Sequence, residues 1–380
     1  MGFLVDEYGG EELHTRSMLY DVQVELGSRS YPIYIGENVL DQVGVLSTKA
    51  GLSGDCLVVA DEHTGALFGA QVMASLEAAG IRTTLATVPA GEPSKSSAQL
   101  VELYSAALAA GLDRHGFMVA LGGGVIGDLA GYAAASFLRG VPFVQVPTSL
   151  LAMVDSSVGG KTGINLVEGK NLVGAFHQPA LVLADVATLR SLPEREFRAG
   201  MAEVVKYGVI RDAAFFERIE QERVWLHPGG DAQRLAEVVG RCCEIKAEVV
   251  AADEREGGLR AILNFGHTLG HAIENCAGYG AQYIHGEAIA VGMVYAAGLS
   301  QVCCGLSASD AERIERLVGE LGLPVRAVEQ DWKRLRVAMG VDKKTVGGVP
   351  RFVLAEKIGS VSVGHVVAED QLEAGWNAMS

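Results

Sequence analysis

The chain has 380 residues, a length that on ordinary domain sizes divides into two domains rather than one. Hydrophobic residues make up 49% and charged residues 20%, enough for a large core and unlike a disordered chain. A net charge of −15 argues against a nucleic-acid partner, which needs a surplus of Lys and Arg, but it leaves room for a local basic cluster around a small anion.

Residues 1–17 carry Asp6, Glu7, Glu11 and Glu12 and no apolar run. They match neither a signal nor a transit peptide, and a disordered tail is the expectation. No stretch of about 18 apolar residues runs without charges or breakers, so no membrane span is expected. The cysteines Cys56, Cys242, Cys243, Cys276, Cys303 and Cys304 lack CxxC spacing. They read as free thiols in a reducing compartment, which makes a cytoplasmic location the expectation.

The run from Cys56 to Asp61 reads as a buried strand, followed by a helix from about His63 to Ala79. Strand from Ile81 to Val88, helix from Ser94 to Ala110 and strand from Phe117 to Leu121 come next, and further strands are expected from Pro142 to Pro147 and from Leu181 to Asp185. Strands alternating with helices predict parallel βαβ units and a doubly wound sheet. Beyond about Pro193 the pattern turns helical: Glu194 to Val209, Asp231 to Asp253, Thr268 to Ala277 and Glu287 to Gly305, with little strand between them. The expected architecture is an α/β dinucleotide-binding domain over 1–192 and a mostly helical domain over 193–380, with the site in the cleft between them.

Met118-Val119-Ala120-Leu121 runs into Gly122-Gly123-Gly124-Val125-Ile126-Gly127-Asp128, and a helical pattern follows from Leu129 to Leu138. Gly122, Gly124 and Gly127 have the G-x-G-x-x-G spacing, which lets backbone N–H groups approach a pyrophosphate at a helix N-terminus. The same spacing also suits a plain tight turn, and the loop comes late for a dinucleotide domain, not in its first βα turn. Asp61, at an earlier strand end, is placed to take ribose hydroxyls. Gly91-Glu92-Pro93-Ser94-Lys95 forms a second polar loop at a strand end, or a helix cap.

Asn264-Phe265-Gly266-His267-Thr268-Leu269-Gly270-His271 sets two histidines at i and i+4, on one helix face. A metalloprotease would carry Glu where Thr268 stands. His285 opens another apolar helix, and Glu203 lies among small and apolar residues, where a bare carboxylate needs a cation. Two histidines and a carboxylate suit a catalytic zinc with an open position. Lys206, at i+3, is the other cation available to Glu203, and a histidine pair also occurs as ordinary packing.

Gly159-Gly160-Lys161-Thr162 invites a P-loop reading, but the Walker pattern needs glycine at position 155, where Asp155 stands. What remains is a basic and polar set on glycine-rich segments: Arg139, Lys161, Lys170 and Asn171, with Lys246 and Arg260 ahead of the histidine pair. In so acidic a chain this set suggests an anionic small substrate, although any one lysine is ordinarily a solvated side chain.

Taken in order, Gly-Gly-Gly-Val-Ile-Gly-Asp at 122–128, Pro147-Thr148-Ser149-Leu150-Leu151-Ala152-Met153-Val154-Asp155, Gly-Gly-Lys-Thr-Gly-Ile-Asn at 159–165, Gly-Met-Ala-Glu-Val-Val-Lys at 200–206, Asn-Phe-Gly-His-Thr-Leu-Gly-His at 264–271 and His-Gly-Glu-Ala at 285–288 resemble the 3-dehydroquinate synthase family, over nearly the whole chain. The resemblance implies zinc, or cobalt in its place, on Glu203, His267 and His285, with His271 a proton-relay residue. It implies NAD against Asp61, Glu92, Lys95, Gly123, Gly124, Val125, Asp128, Thr148, Ser149, Leu151, Asp155 and Lys170. It implies substrate contacts from Asp155, Lys161, Lys170, Asn171, Lys206, Lys246, Arg260 and Asn264, and phosphate contact from one of Lys343 and Lys344. Arg139 matches a position that reaches the partner subunit's phosphate site, which implies a homodimer. Ser149 departs from a frequent second Thr but keeps the hydroxyl.

The implied reaction converts 3-deoxy-D-arabino-heptulosonate 7-phosphate to 3-dehydroquinate and phosphate. It proceeds by oxidation at C5, loss of phosphate, reduction at C5 and an intramolecular aldol closure, so NAD is regenerated each turn. Arg260, a bidentate donor, and Lys246 would suit the substrate carboxylate. A sister sugar phosphate cyclase would lack that carboxylate, and a metal-dependent polyol dehydrogenase of similar fold would typically carry Asp at position 203.

Overall fold

The computed structural model describes residues 18–278, 282–341 and 349–379. The first half forms strands β1 (Met18–Val24), β2 (Tyr31–Gly36), β3 (Cys56–Asp61), β4 (Thr83–Val88), β5 (Phe117–Gly122), β6 (Phe143–Pro147), β7 (Lys161–Leu166), β8 (Gly169–Phe176) and β9 (Leu181–Asp185). Seven of them make one sheet in the order β1-β2-β9-β6-β5-β3-β4, parallel except for the β1–β2 pair. β7 and β8 form a separate antiparallel hairpin.

The apolar runs read as strands because parallel strands here are covered on both faces. Along β3, Leu57 and Val59 point to one core with Leu129 and Ala133, while Val58 and Ala60 point to the other with Val72 and Leu76. Strand β4 leaves β3 on one side and β5 returns on its other side. The carboxyl ends of β3 and β5 therefore flank a topological switch point, where open α/β sheets bind ligands.

Several expected boundaries move. The helix expected from Ser94 begins at Ser97, because Ser96 Oγ caps Gln99 N at 3.3 Å and Glu92–Ser94 forms a separate 3-10 turn with Pro93 at its start. The β1–β2 pair and the β7–β8 hairpin lie where no strand was expected. Glycine interrupts β7 and β8, whereas β2 alternates buried and half-buried residues from Tyr31 to Ile35. The helical half also contains a hairpin, β10 (Phe352–Lys357) and β11 (Ser360–His365), so its strand content exceeds the expectation.

In the second half, the helices Glu194–Arg211, Ala232–Ala252, His267–Cys276 and His285–Cys303 pack together and onto the β1–β2 end of the sheet. One apolar cluster joins Tyr31, Ile33 and Val182 from the sheet to Val204, Val239 and Ile289 from these helices. His285–Cys303 is long and apolar enough to cross a bilayer by length and composition, and here most of it is buried inside the fold.

Candidate active site

The glycine loop follows β5, next to the switch point, which accounts for its late place in the chain. Gly123 leads into the helix Gly124–Ser136, which carries Val125 in its first turn and Asp128 at the start of its second. Thr148 follows β6, and its N–H donates to Gly122 O at 3.0 Å. Ser149 Oγ accepts from Ala152 N at 3.3 Å, and Leu151 precedes a wide π turn over Ala152–Ser156 that carries Asp155. At the end of β3, Asp61 Oδ1 accepts from the N–H groups of His63 and Thr64, both at 2.9 Å, so part of its carboxylate serves as a helix cap. Buried Lys95 donates to Asp128 Oδ2 at 2.7 Å and to Asn171. Glu92 Oε1 accepts from Asn165 Nδ2 at 2.8 Å. A cavity of 470 Å³ opens here, lined in part by Glu92, Lys95, Asn165 and Lys170.

The metal candidates come from three helices brought together by close glycine contacts. Gly266 adopts a left-handed backbone, φ +79°, that turns the chain from the Leu259–Asn264 segment into the helix starting at His267. At Gly286 a Cβ would meet Ala199 O at 1.9 Å, so only glycine lets the helix of His285 cross directly over the helix of Glu203. Glu203 is fully buried. Its Oε1 lies 3.6 Å from Nε2 of both His267 and His285, and a ligand atom from each of the three residues falls within 4.8 Å of the others. Ligand atoms about 2.0–2.1 Å from a tetrahedral ion sit about 3.3 Å apart, so this spacing suits one divalent cation.

Lys206 Nζ contacts Glu203 Oε2, yet neither carboxylate oxygen accepts a well-formed hydrogen bond. A buried carboxylate beside two imidazole nitrogens, paired with one ammonium but without a well-formed hydrogen bond, is a donor set a zinc or cobalt ion takes. Burial would raise the Glu203 carboxyl, but Lys206 and His285 outweigh it and hold the group below its usual range. Burial would lower His285, but Glu274 and Glu203 raise it to about 10, so this spot draws positive charge. His271 lies one turn after His267, its ring centroid 5.3 Å from that of His267 and 6.3 Å from that of His285.

The basic residues fall into two groups. Lys206 and Lys246 converge on Asp155, whose Oδ1 accepts from Lys246 Nζ at 2.7 Å and lies 3.9 Å from Lys206 Nζ. Burial would raise Asp155, but Lys246 and Lys206 hold it well below the usual carboxylate range. Burial pushes Lys246 down to about 8 against the pull of Asp155. The second group borders the hairpin: Lys161 pairs with Glu256 Oε2 at 2.5 Å, and Lys170 with Glu274 Oε1 at 3.3 Å.

Arg260 is buried at 1% exposure, and its guanidinium donates to the backbone carbonyls of Glu254 and Gly159. The bidentate fork expected to face a carboxylate is thus engaged by the main chain here, and Nε alone lacks a hydrogen bond. Arg139 is exposed on a turn where Leu138 and Arg139 have positive φ, at the far end of the Gly124–Ser136 helix. That helix is about 20 Å long at 1.5 Å per residue, so Arg139 stands well away from the glycine loop. Lys343 and Lys344 lie outside the described residues.

Three residues not singled out from the sequence also belong to the site. Glu274 accepts from His285 Nδ1 at 2.9 Å, and its signal was legible: it stands seven residues after His267, on the same helix face. Burial would raise its carboxyl, but His285 and Lys170 bring it to about 2. Tyr207 donates to Asp155 Oδ1 at 3.1 Å, hidden in sequence among the core residues of its helix. Glu256 bridges Lys161 and Asn264 Nδ2, and its charged surroundings at 253–256 look like any solvated turn.

Known proteins resemble this chain along its length. The family model described as 3-dehydroquinate synthase N-terminal matches residues 85–199, and that described as 3-dehydroquinate synthase C-terminal matches residues 200–345. The 3-dehydroquinate synthase of Pelobacter propionicus is 52% identical over 349 residues, covering 92% of this chain and 97% of that protein. Among solved structures, the 2-epi-5-epi-valiolone synthase ValA of Streptomyces hygroscopicus, with NAD+ and Zn2+ bound, superposes with a TM-score of 0.84 at 28% identity, over 93% of this chain and 97% of that one. A 2-deoxy-scyllo-inosose synthase complexed with carbaglucose-6-phosphate, NAD+ and Co2+ has a TM-score of 0.84 at 26% identity, over 95% of this chain and all of that one. With both family models matched end to end across residues 85–345 and half of all positions shared with a full-length relative, the chain belongs to the 3-dehydroquinate synthase family.

Proposed function

We propose that this cleft converts 3-deoxy-D-arabino-heptulosonate 7-phosphate to 3-dehydroquinate and phosphate as a phosphorus-oxygen lyase, with Glu203, His267 and His285 holding a divalent metal and the β5 glycine loop holding NAD. The observation that carries this reading is the fully buried Glu203 carboxylate, without a well-formed hydrogen bond and 3.6 Å from two imidazole nitrogens. When bound, a divalent ion acidifies a substrate hydroxyl, and NAD takes up and returns a hydride.

The chain's own residues do the rest. Asp61, Glu92, Lys95, Asp128, Thr148 and Ser149 ring the switch point, where backbone N–H groups of the glycine loop receive a pyrophosphate. Lys161 and Asn171 would hold the substrate phosphate and offset charge as it leaves, with Lys170 reaching both that phosphate and the nucleotide side beside Glu92. Lys246 supplies a cation for the carboxylate, and Arg260 would join it only after exchanging a main-chain bond. His271, whose ring lies beside those of His267 and His285, and Asn264, which bonds Glu256, would orient hydroxyls or relay protons. Arg139, exposed and remote from its own glycine loop, supports a homodimer in which it completes the partner's phosphate site. Residues 1–192 and 193–380 would act as two domains closing on the substrate.

The test is turnover with zinc-loaded protein and substoichiometric NAD, following phosphate and NADH together. Phosphate released in excess of NAD, with no lasting NADH, is expected. Lasting NADH without phosphate release refutes the cyclase cycle. No turnover of this substrate, with phosphate release from a sugar phosphate that lacks a carboxylate, refutes the substrate.

A further inference from the structure

The helix His267–Cys276 carries His267, His271 and Glu274 on one face. The Glu274 side chain is only 7% exposed, and a carboxylate that deep must be paired. It is paired twice, with two different elements. Oε2 accepts from Nδ1 of His285, the first residue of the next helix, at 2.9 Å. Oε1 accepts from Nζ of Lys170, on strand β8 of the cleft hairpin, at 3.3 Å.

Each bond has a consequence. His285 turns Nε2 toward Glu203 and Nδ1 toward Glu274. An acceptor at Nδ1 keeps a proton there, so a metal would take the Nε2 position by displacing the other proton. The far nitrogen of His267 meets Phe265 O at 3.1 Å, a main-chain partner fixed by the fold. His285 Nδ1 instead meets a side chain, and that side chain is shared. Lys170 stands 3.8 Å from Glu92 Oε1, and its neighbour Asn171 contacts Lys95. A continuous polar path thus runs from the nucleotide loop through Lys170 and Glu274 to His285.

We propose that Glu274 is a positioning residue that holds His285 for the metal and Lys170 for the nucleotide side with one carboxylate, so that zinc and NAD+ each bind more tightly in the other's presence. The inference rests on the reading that Glu203, His267 and His285 are the metal ligands. A metal on Nε2 polarises the imidazole and strengthens the Nδ1–H bond to Glu274, which fixes the carboxylate that Lys170 meets. By linkage, the tightening is the same in both directions.

The test is zinc affinity of the full-length apo protein by chelator competition, with and without NAD+, for wild type, Glu274→Gln and His267→Ala, with circular dichroism to verify folding. Glutamine is isosteric but presents a donor in place of one oxygen, so it keeps one of the two bonds at most. The expectation is a loss of zinc affinity of about 10–100-fold in Glu274→Gln, with the NAD+ effect abolished. The visible spectrum of the cobalt-loaded variant should also shift, because the basicity of His285 changes. A folded Glu274→Gln protein with wild-type zinc affinity and cobalt spectrum overturns the proposal, as does a wild-type zinc affinity indifferent to NAD+. If His267→Ala binds zinc as tightly as wild type, the ligand reading itself fails, and this proposal with it.

Discussion

Gly286→Ala isolates the contact that brings His285 to the metal candidates. The added Cβ would lie 1.9 Å from Ala199 O and 2.5 Å from Ala199 C, both main-chain atoms of the helix that carries Glu203. Ordinary contact needs about 3.4 Å, so the two helices must separate by about 1.5 Å at the crossing. Metal sites hold ligand distances to within about 0.2 Å, so a shift of this size takes His285 out of range. Overpacking of this kind costs about 1–3 kcal/mol, or about 1–4 °C of Tm in a protein of this size. Zinc affinity should fall by more than the ~10–100-fold typical of disturbing an outer partner, because a ligand itself is displaced. Gly298→Ala on the same helix is the control: no atom lies within 4 Å of its added Cβ, and replacing a helical glycine should stabilise by about 1 kcal/mol or less. Thermal unfolding and chelator competition on both variants decide the matter. A Gly286→Ala protein with unchanged Tm and unchanged zinc affinity would refute the close-crossing argument.

Two further outcomes follow from the charges around Asp155. Lys246, lowered to about 8 by burial, is an ammonium below that pH and neutral above it, so kcat/KM should decline above pH 8, by up to about tenfold per unit. A profile flat to about pH 9.5 would show that Lys246 stays charged or is not used. Asp155→Asn removes the carboxylate that Lys246 and Lys206 share and leaves two buried ammonium groups less compensated. Breaking a buried pair costs about 3–5 kcal/mol, and partial exposure of Asp155 puts the loss near about 3 kcal/mol. The alkaline limb should then move below its wild-type position, because the partner that raises Lys246 is gone; denaturant unfolding and the pH profile read the two effects separately.

Local patterning carried much of this molecule. The run from Cys56 to Asp61 reads as a strand because a parallel strand covered on both faces is apolar at every position, and Leu57 and Val58 indeed serve two different cores. The glycine loop and the i, i+4 histidine pair were legible because their chemistry fixes spacing within one turn of chain. Glu274 carries the same helical spacing, seven residues after His267, but an acidic residue on a helix ordinarily faces solvent. The β7–β8 hairpin was not legible, since short runs mixed with glycine and polar residues become strands only when a partner strand supplies their hydrogen bonds; strand β2 does carry a period-two pattern from Tyr31 to Ile35.

The sequence by itself determined the parallel βαβ order, the donor types near the cleft and the family they resemble, because these depend on residue identity and separation along the chain. Only the tertiary structure decided that the late glycine loop lies at the switch point, since that depends on β5 returning to the far side of β3. Only the helix crossing at Gly286 placed His285 within 3.6 Å of a carboxylate 82 residues earlier. The fate of Arg260 was likewise tertiary: its guanidinium is held by the carbonyl of Gly159, about a hundred residues away in sequence and adjacent only after folding. Separations of that length carry no periodic signal, because packing of whole elements, not local backbone preference, sets which side chains meet.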